Sequence, residues 1–204
     1  MTFSLDGSLA YVSNQVSGTV SVIATASGAV VATIGGFSCP FHSKIGFIDS
    51  RGAFTSLEDP AAAPMQTSPV GITALGFISG SYGDATGNSH GFVRDPNAQF
   101  RNFDFPEADF TVAAKINDLG QVAGQYITNF PGHAFILSGV MDRDEPLSPA
   151  RFFSFDYPDS QDSALREINN SGQVTGFAHL RGNRVRHGFI ATPTDSEQDD
   201  QNNQ

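Results

Sequence analysis

Three histidines occupy matched positions in this sequence, where His90, His133 and His187 each stand two residues before a phenylalanine. Equivalent imidazoles of a repeat could converge on one zinc ion, because zinc in catalytic sites is commonly held by three protein ligands. The matching position of an earlier copy is Ile45, so this slot accepts a plain hydrophobic side chain. We therefore predict no metal there. We interpret the histidines as packed side chains with one hydrogen bond each, and keep them as candidate binding residues.

Two further patterns match catalytic motifs by residue type alone. Residues 87–91 fit the G-x-S-x-G pattern of esterases, but that mechanism needs a strand, a sharp elbow and a helix, and no helix is predicted here. Asp104 and Asp156 are equivalent acids, and a carboxylate pair can cleave glycosidic bonds at a separation that only the fold sets. Their repetition favours a structural role, in which they accept turn amides before Pro106 and Pro158. We expect no catalytic residue and no cofactor.

The elements that position these residues follow from an internal repeat. A line of the form Ile-Asn-x-x-Gly-Gln-Val-x-Gly begins at Ile116 and recurs at Ile168, with a looser copy at Ile72. Asn or Asp followed by Gly predicts a tight turn with the glycine at positive φ, joining two strands. One carboxylate or none per turn is too few for calcium. The later glycines Gly80, Gly124 and Gly176 cost strand stability, so they predict close approach of a neighbouring sheet or a large side chain.

Two more recurring segments complete each unit. One is a Phe-Ile or Phe-Val pair that follows Gly or Ala, and the other ends each unit with Leu-Glu-Asp-Pro60, Phe-Asp-Phe-Pro106 or Phe-Asp-Tyr-Pro158. The spacing between these two segments is longer in the third copy, which places an insertion around Met141–Pro149. Its acidic residues surround Arg143 without a glycine, so we expect it to be solvated.

Three units of four short strands, three more strands within residues 9–34 and a last strand at 188–190 predict an all-β protein of tandem four-stranded blade-like repeats. Sixteen strands would make a small, about four-bladed, or incomplete β-propeller. The expected domains are a repeat unit over residues 1–36 and β repeats over residues 44–193 that form one domain with it. Residues 194–204 contain no apolar side chain, which predicts a disordered acidic tail.

Composition excludes several classes of function. The net charge of −10 and the pI near 4.6 disfavour nucleic-acid binding, which needs a concentrated cationic surface. No apolar stretch approaches the ~20 residues of a membrane helix. The single cysteine, Cys39, excludes an internal disulfide framework.

The run from about residue 46 to 193 resembles the HAF-type extracellular repeats of bacteria. The resemblance rests on the His-Gly-Phe or His-Ala-Phe, Phe-Asp-aromatic-Pro and Ile-Asn-x-x-Gly-Gln-Val-x-Gly segments in repeated order. The preceding segment is similar to a YVTN-type propeller repeat, with Tyr11-Val-Ser-Asn14 at the naming motif. These resemblances imply a propeller-like fold at the cell surface or outside the cell, without a known catalytic role. The N-terminus lacks a basic region and an apolar core, so no signal peptide is expected within this chain.

Two hypotheses of function remain open. The first is a noncatalytic extracellular-type β-repeat module for surface binding or assembly, with a protein or carbohydrate partner. The alternative is a propeller hydrolase or lactonase with a metal or acidic site in the central channel. The first is favoured because each recurrent polar residue has a structural duty, and incomplete blades could pair across chains into a homo-oligomer.

Overall fold

The computed structural model of this protein describes residues 2–3, 9–14, 19–24, 26–27, 29–34, 46–50, 53–144, 146–182 and 185–193. These residues form antiparallel β-sheets and one short 3-10 turn, Pro149–Arg151, with no α-helix among them. The predicted all-β class is therefore confirmed. The chain divides into two compact units, Met1–Ile45 and Gly46–Gln204. Cys39 and the predicted tail 194–204 lie outside the described residues.

The first unit contains one antiparallel sheet in the strand order β1-β2-β3-β4. Its strands are β1 Thr2–Phe3, β2 Leu9–Asn14, β3 Thr19–Ala24 and β4 Val30–Ile34. Three of these strands match the predicted ones. The structure has one strand that was not predicted, β1, in which Thr2 pairs with Tyr11 and Phe3 with Ala10 of β2. A strand of two residues is too short to show the alternation by which strands are recognised in a sequence.

The second unit contains a hairpin and three sheets. Its strands are β5 Gly46–Ser50, β6 Ala53–Leu57, β7 Thr67–Ile72, β8 Ile78–Gly83, β9 Ser89–Arg94, β10 Phe100–Phe103, β11 Phe110–Ile116, β12 Val122–Ile127, β13 Gly132–Leu137, β14 Phe152–Phe155, β15 Ser160–Ile168, β16 Val174–Leu180 and β17 Arg186–Ala191. They form the hairpin β5–β6 and the sheets β7–β10, β11–β14 and β15–β17, each in chain order. The predicted four strands per repeat occur in the two middle sheets. Within the described residues the hairpin has two strands and the last sheet three.

The turn between the first two strands of each sheet follows from its sequence. Gly76, Gly120 and Gly172 have φ of 82°, 74° and 74°, as the turn prediction requires. In the second copy the Asn117 side-chain oxygen accepts the amides of Leu119 and Gln121 at 3.1 and 2.9 Å. Asn169 binds its own turn in the same way. Asparagine starts these turns because its side chain replaces a backbone acceptor.

The recurrent strand glycines make room for aromatic rings, which confirms the prediction of a close large side chain. A methyl group at Gly80 or Gly124 would lie 2.6 Å from the ring of Phe92 or Phe135, and one at Gly176 would lie 2.8 Å from the ring of Phe189. Each ring belongs to the next strand of the same sheet, directly opposite the glycine. The nearest atom to each methyl position is a carbonyl oxygen of the preceding strand, from Ser68, Val112 or Ala164, so glycine is needed between that strand and the phenylalanine ring.

The apolar core of the second unit lies in three layers between successive sheets. The first layer joins the hairpin to sheet β7–β10, the second joins that sheet to β11–β14, and the third joins β11–β14 to β15–β17. Strand alternation divides each middle sheet between two layers: in β12, Val122 packs into the second layer and Ala123 into the third. No helix of the described residues is both long and apolar enough to cross a membrane.

Candidate functional site

Two of the matched histidines belong to a cluster that recurs in the two middle sheets. We call it the Tyr-His-Asp cluster. The ring of His90 stacks on Tyr82 with centroids 5.0 Å apart, and the ring of His133 stacks on Tyr126 at 5.2 Å. His90 Nδ1 lies 2.9 Å from an Asp104 oxygen. The corresponding distance from His133 to Asp156 is 2.7 Å.

Strand register assembles each cluster. Tyr82 pairs with His90 across β8 and β9, so their side chains share one face. Phe103 pairs with Gly91 across β10 and β9, which leaves the next residue, Asp104, beside His90. The tyrosine hydroxyl is bound by the fourth strand as well, through Asn102 at 3.3 Å in one sheet and Ser154 at 2.9 Å in the other. The cluster therefore ties the second, third and fourth strands together at one end of a sheet.

The first cluster carries an additional carboxylate. His90 Nε2 lies 3.3 Å from Asp84, so both ring nitrogens of His90 are engaged. Burial lowers the pKa of His90, but the hydrogen bonds and negative charges of Asp104 and Asp84 outweigh it and raise that pKa. The pKa of Asp84 is held far below its ordinary value by the Thr86 hydroxyl first, with help from backbone amides and His90. With both nitrogens occupied, His90 has no lone pair with which to bind a metal or take a proton from a substrate.

His187 does not form the third copy of this cluster. It lies in β17 opposite Ala178, where the other copies have tyrosine, and the described part of its sheet has no fourth strand to supply an aspartate. The three histidines thus stand in three different sheets. Within the described residues, no group of three or more His, Cys, Asp or Glu side chains is arranged to hold a metal ion.

The hydroxyls that receive the turn amides were not identified in the sequence. The amides of Phe105 and Tyr157, expected to bind Asp104 and Asp156, donate instead to Thr111 and Ser163 at 2.9 and 3.0 Å. The hairpin repeats this bond from Asp59 to Thr67 at 3.0 Å. All three hydroxyl residues are completely buried in the first strand of the following sheet. The sequence signal that could have identified them is a small hydroxyl residue that recurs near the start of β7, β11 and β15.

The tight turns of successive repeats form a hydrogen-bonded ladder. Ala74 donates its amide to Asp118 at 2.8 Å, and the Asp118 amide donates to Asn170 at 2.9 Å. The Asn170 side chain returns a bond to the Asp118 carboxylate at 3.0 Å. The pKa of Asp118 is lowered, first by Asn170 and then by the Ala74 amide. Side chains that could have been taken for calcium ligands therefore join one repeat to the next.

The serine of the esterase-like pattern has a structural position. Ser89 begins β9 and donates its hydroxyl to the carbonyl of Thr111 at 3.3 Å in the neighbouring sheet. Residues 89–94 continue as a strand, so the helix required by the esterase elbow is not formed there.

The insertion contacts the preceding sheet through Arg143, although Asp142, Arg143 and Asp144 are exposed, as expected. Arg143 lies 2.6 Å from the Asp95 carboxylate, which is only 7% exposed. Arg101 reaches back from β10 and donates to the carbonyls of Val140 and Asp142. A buried carboxylate favours a cationic partner because burial without one is costly, and this partner could not be identified from sequence spacing.

A buried acid near the first cluster has one oxygen that no described residue hydrogen-bonds. Asp59 is 3% exposed, and its Oδ1 accepts from the Ala61 amide at 2.8 Å and from Asn102 at 3.2 Å. Its Oδ2 has no hydrogen-bond partner among the described residues. Asp59 and Asn102 make this end of sheet β7–β10 more polar than the same end of β11–β14.

Comparison of the chain with protein-family models, with curated proteins and with solved structures finds no match.

Proposed function

We propose that this protein is a noncatalytic β-repeat module for surface binding or assembly. Its sheets act as the blades of a small or incomplete propeller, stacked through their apolar faces and joined by the turn ladder. The resemblance to HAF-type and YVTN-type repeats supports a position at the cell surface or outside the cell, with a protein or carbohydrate partner.

The observation that carries this proposal is the use made of the recurrent polar residues. His133 and Asp156 bind each other, Thr111 binds the end of the preceding sheet, and Asp118 binds the turns on both sides of it. Each contact is made within a repeat or between neighbouring repeats. Polar groups so engaged hold sheets in register, which gives each of them a structural role.

The alternative, a propeller hydrolase or lactonase, has its best support in the first Tyr-His-Asp cluster. Asp84 breaks the symmetry between the two clusters, and symmetry-breaking acids are what catalysis in a repeat protein would require. Both nitrogens of His90 are nevertheless bound to carboxylates, which opposes a role as general base.

The two functions are separated by an assay of turnover. The purified chain is incubated with p-nitrophenyl acetate, a γ-butyrolactone and p-nitrophenyl glycosides, with and without added Zn²⁺ or Ca²⁺. We expect rates equal to those of buffer for the wild type and for His90→Gln and His133→Gln. A metal-dependent rate that is lost in either variant would contradict the proposal.

The binding half of the proposal is tested separately. Fluorescently labelled chain is applied to a glycan array and to immobilised bacterial cell-wall fractions, with chelator present. We expect saturable binding to at least one surface, because no metal enters the proposed interaction. Absence of saturable binding on all of them would count against surface binding.

A further inference from the structure

The buried carboxylate of Asp59 stands where the later repeats have an aromatic ring. Asp59 corresponds to Phe105 and Tyr157, because each of these residues donates its amide to a buried hydroxyl in the first strand of the following sheet. The Phe105 ring stacks on Tyr126 of that following sheet with centroids 3.5 Å apart. In the first copy an acidic side chain therefore replaces a ring that packs between two sheets.

One oxygen of this carboxylate has no partner. Asp59 is 3% exposed, and its Oδ1 accepts from the Ala61 amide at 2.8 Å and from the Asn102 side chain at 3.2 Å. Its Oδ2 is buried, and no described residue donates a hydrogen bond to it. A charge that is removed from water without a counter-charge is costly. The orphaned oxygen therefore indicates a cationic group that the described part of the chain does not supply.

The groups beside Asp59 also favour a cation. The Asn102 amide nitrogen lies 3.2 Å from Asp59 Oδ1 and 3.3 Å from the Tyr82 hydroxyl, so it connects the two. The pKa of Tyr82 is raised, first by burial and then by the negative charges of Asp59 and Asp104, so its hydroxyl lies in a negative potential. Asp104 is already bound to His90. Asp59 is thus the acid of this group whose charge is not compensated.

The charge and the space at Asp59 restrict the kind of ion. Calcium needs several carboxylates, and a divalent ion would exceed the single negative charge of Asp59. A monovalent cation neutralises one carboxylate. Because Oδ2 is closed to water, the ion that contacts it has given up its hydration on that side and must fit a confined space. This favours Na⁺ over the larger K⁺.

We propose that Asp59 anchors a binding site for one Na⁺ ion between the hairpin β5–β6 and sheet β7–β10. Oδ2 of Asp59 contacts the ion, and the Tyr82 hydroxyl and the Asn102 amide oxygen are the neutral ligands nearest to it. Asn102 is exposed, so its side chain can turn its oxygen inward when the ion binds. The ion takes over, in the first copy, the packing role that the Phe105 ring has in the second. This site is independent of any surface partner of the module.

The test compares the thermal unfolding midpoint of the full chain in NaCl, KCl and choline chloride at equal concentration. The three salts screen surface charges equally, but choline is too large for the site. Asp59→Asn keeps the shape of the side chain and removes its charge. The matched control is Asp95→Asn, because Asp95 is a buried acid that already has a cationic partner, Arg143, at 2.6 Å. Sodium-23 NMR line broadening measures binding by the folded protein.

We expect the midpoint of the wild type to be at least about 2 °C higher in NaCl than in choline chloride, as for a ligand present at several times its Kd. KCl should give a smaller shift. The Na⁺-dependent shift and the sodium-23 broadening should persist in Asp95→Asn and disappear in Asp59→Asn. If Asp59→Asn does not fold, Asn102→Ala takes its place and should show a smaller shift than the wild type.

Three results would overturn the proposal. The first is equal midpoints of the wild type in NaCl and choline chloride, and the second is a larger shift in KCl than in NaCl. The third is a Na⁺-dependent shift that is undiminished in folded Asp59→Asn or, where that variant does not fold, in Asn102→Ala. The turnover and surface-binding assays are unaffected by these results, because the ion lies inside the repeat structure.

Discussion

At the scale of single residues, the Tyr-His-Asp clusters explain the histidine that recurs in the two middle sheets. Each histidine ring of the middle sheets lies between a tyrosine ring and a carboxylate of its own sheet. The side chains of His90 and His133 are 22% and 31% exposed, so their ion pairs are only partly shielded from water. Their stabilising effect should therefore be modest, and that of the His90 pair should depend on pH.

The first prediction concerns that pH dependence. The folded-state pKa of His90 is raised above its ordinary value, so its charged pair with Asp104 and Asp84 stabilises the fold fully below the unfolded-state pKa. The stabilisation is lost as pH rises through the folded-state pKa. In urea unfolding, His90→Gln should lose more stability near pH 5.5 than near pH 8.5, with a difference of about 0.5–1 kcal/mol. A loss that is the same at both pH values would contradict the charged pair.

The second prediction compares two glycines of the same kind of strand. Gly124→Ala should destabilise the protein by about 1–3 kcal/mol, because its methyl group overlaps the Phe135 ring. Gly188→Ala should be neutral or stabilising by up to about 1 kcal/mol, since the added carbon meets open space and the unfolded chain loses freedom. Thermal unfolding of both variants measures the contrast. Equal effects of the two variants would mean that the space beside Gly188 is filled.

The structural role of these glycines could be predicted from the sequence more fully than the hydrogen-bond partners of the histidines. A glycine that recurs at one place in a strand predicts close approach of a neighbouring group, and the Phe135 ring beside Gly124 confirms this prediction. The contact of His133 with Asp156 joins the third and fourth strands, and in that copy they are separated by the insertion. Such a contact depends on register and loop length, which the residue types alone do not fix.

At the scale of elements, buried hydroxyls connect the end of one sheet to the start of the next. Thr111 is fully buried, and its hydroxyl receives the Phe105 amide at 2.9 Å. Buried amides need a partner, so this bond fixes where the chain crosses between sheets. The same bond in three places gives successive sheets the same relative position.

The third prediction removes this connection. Thr111→Val has nearly the same shape but leaves the Phe105 amide without an acceptor, which should cost about 1–3 kcal/mol. Thr111→Ser keeps the hydroxyl that the third copy uses naturally at Ser163, and it should retain most of the stability. Chemical unfolding of both variants gives the comparison. If Thr111→Val retained as much stability as Thr111→Ser, the hydrogen bond from the Phe105 amide would not be what joins the two sheets.

The fourth prediction concerns the turn ladder. Because Asn170 is the main cause of the lowered pKa of Asp118, Asn170→Ala should move that pKa upward toward the ordinary value, with the Ala74 amide keeping part of the shift. Carbon-13 NMR of the carboxyl group during an acid titration measures it directly. An Asp118 pKa that does not change in Asn170→Ala would show that successive turns are not joined through these side chains.

At the scale of the whole molecule, the second unit is a stack of sheets that is complete in the middle and incomplete at both described ends. Among the residues that the structure describes, the hairpin β5–β6 has the third and fourth strands of the pattern, and sheet β15–β17 has the first three. The fold class and most strands could be predicted because alternation and turns are local signals. The distribution of strands among sheets could not, since it depends on which neighbour each edge finds.

Central to the second unit is that buried hydroxyls and turn side chains join successive sheets. Hydrogen–deuterium exchange of the Phe105 amide tests this connection most directly, because this amide donates to the buried hydroxyl of Thr111 in the following sheet. The Phe105 amide should exchange at least about tenfold faster in Thr111→Val than in the wild type, because its hydrogen bond to the following sheet is lost. An exchange rate of this amide that is the same in Thr111→Val and in the wild type would contradict the account.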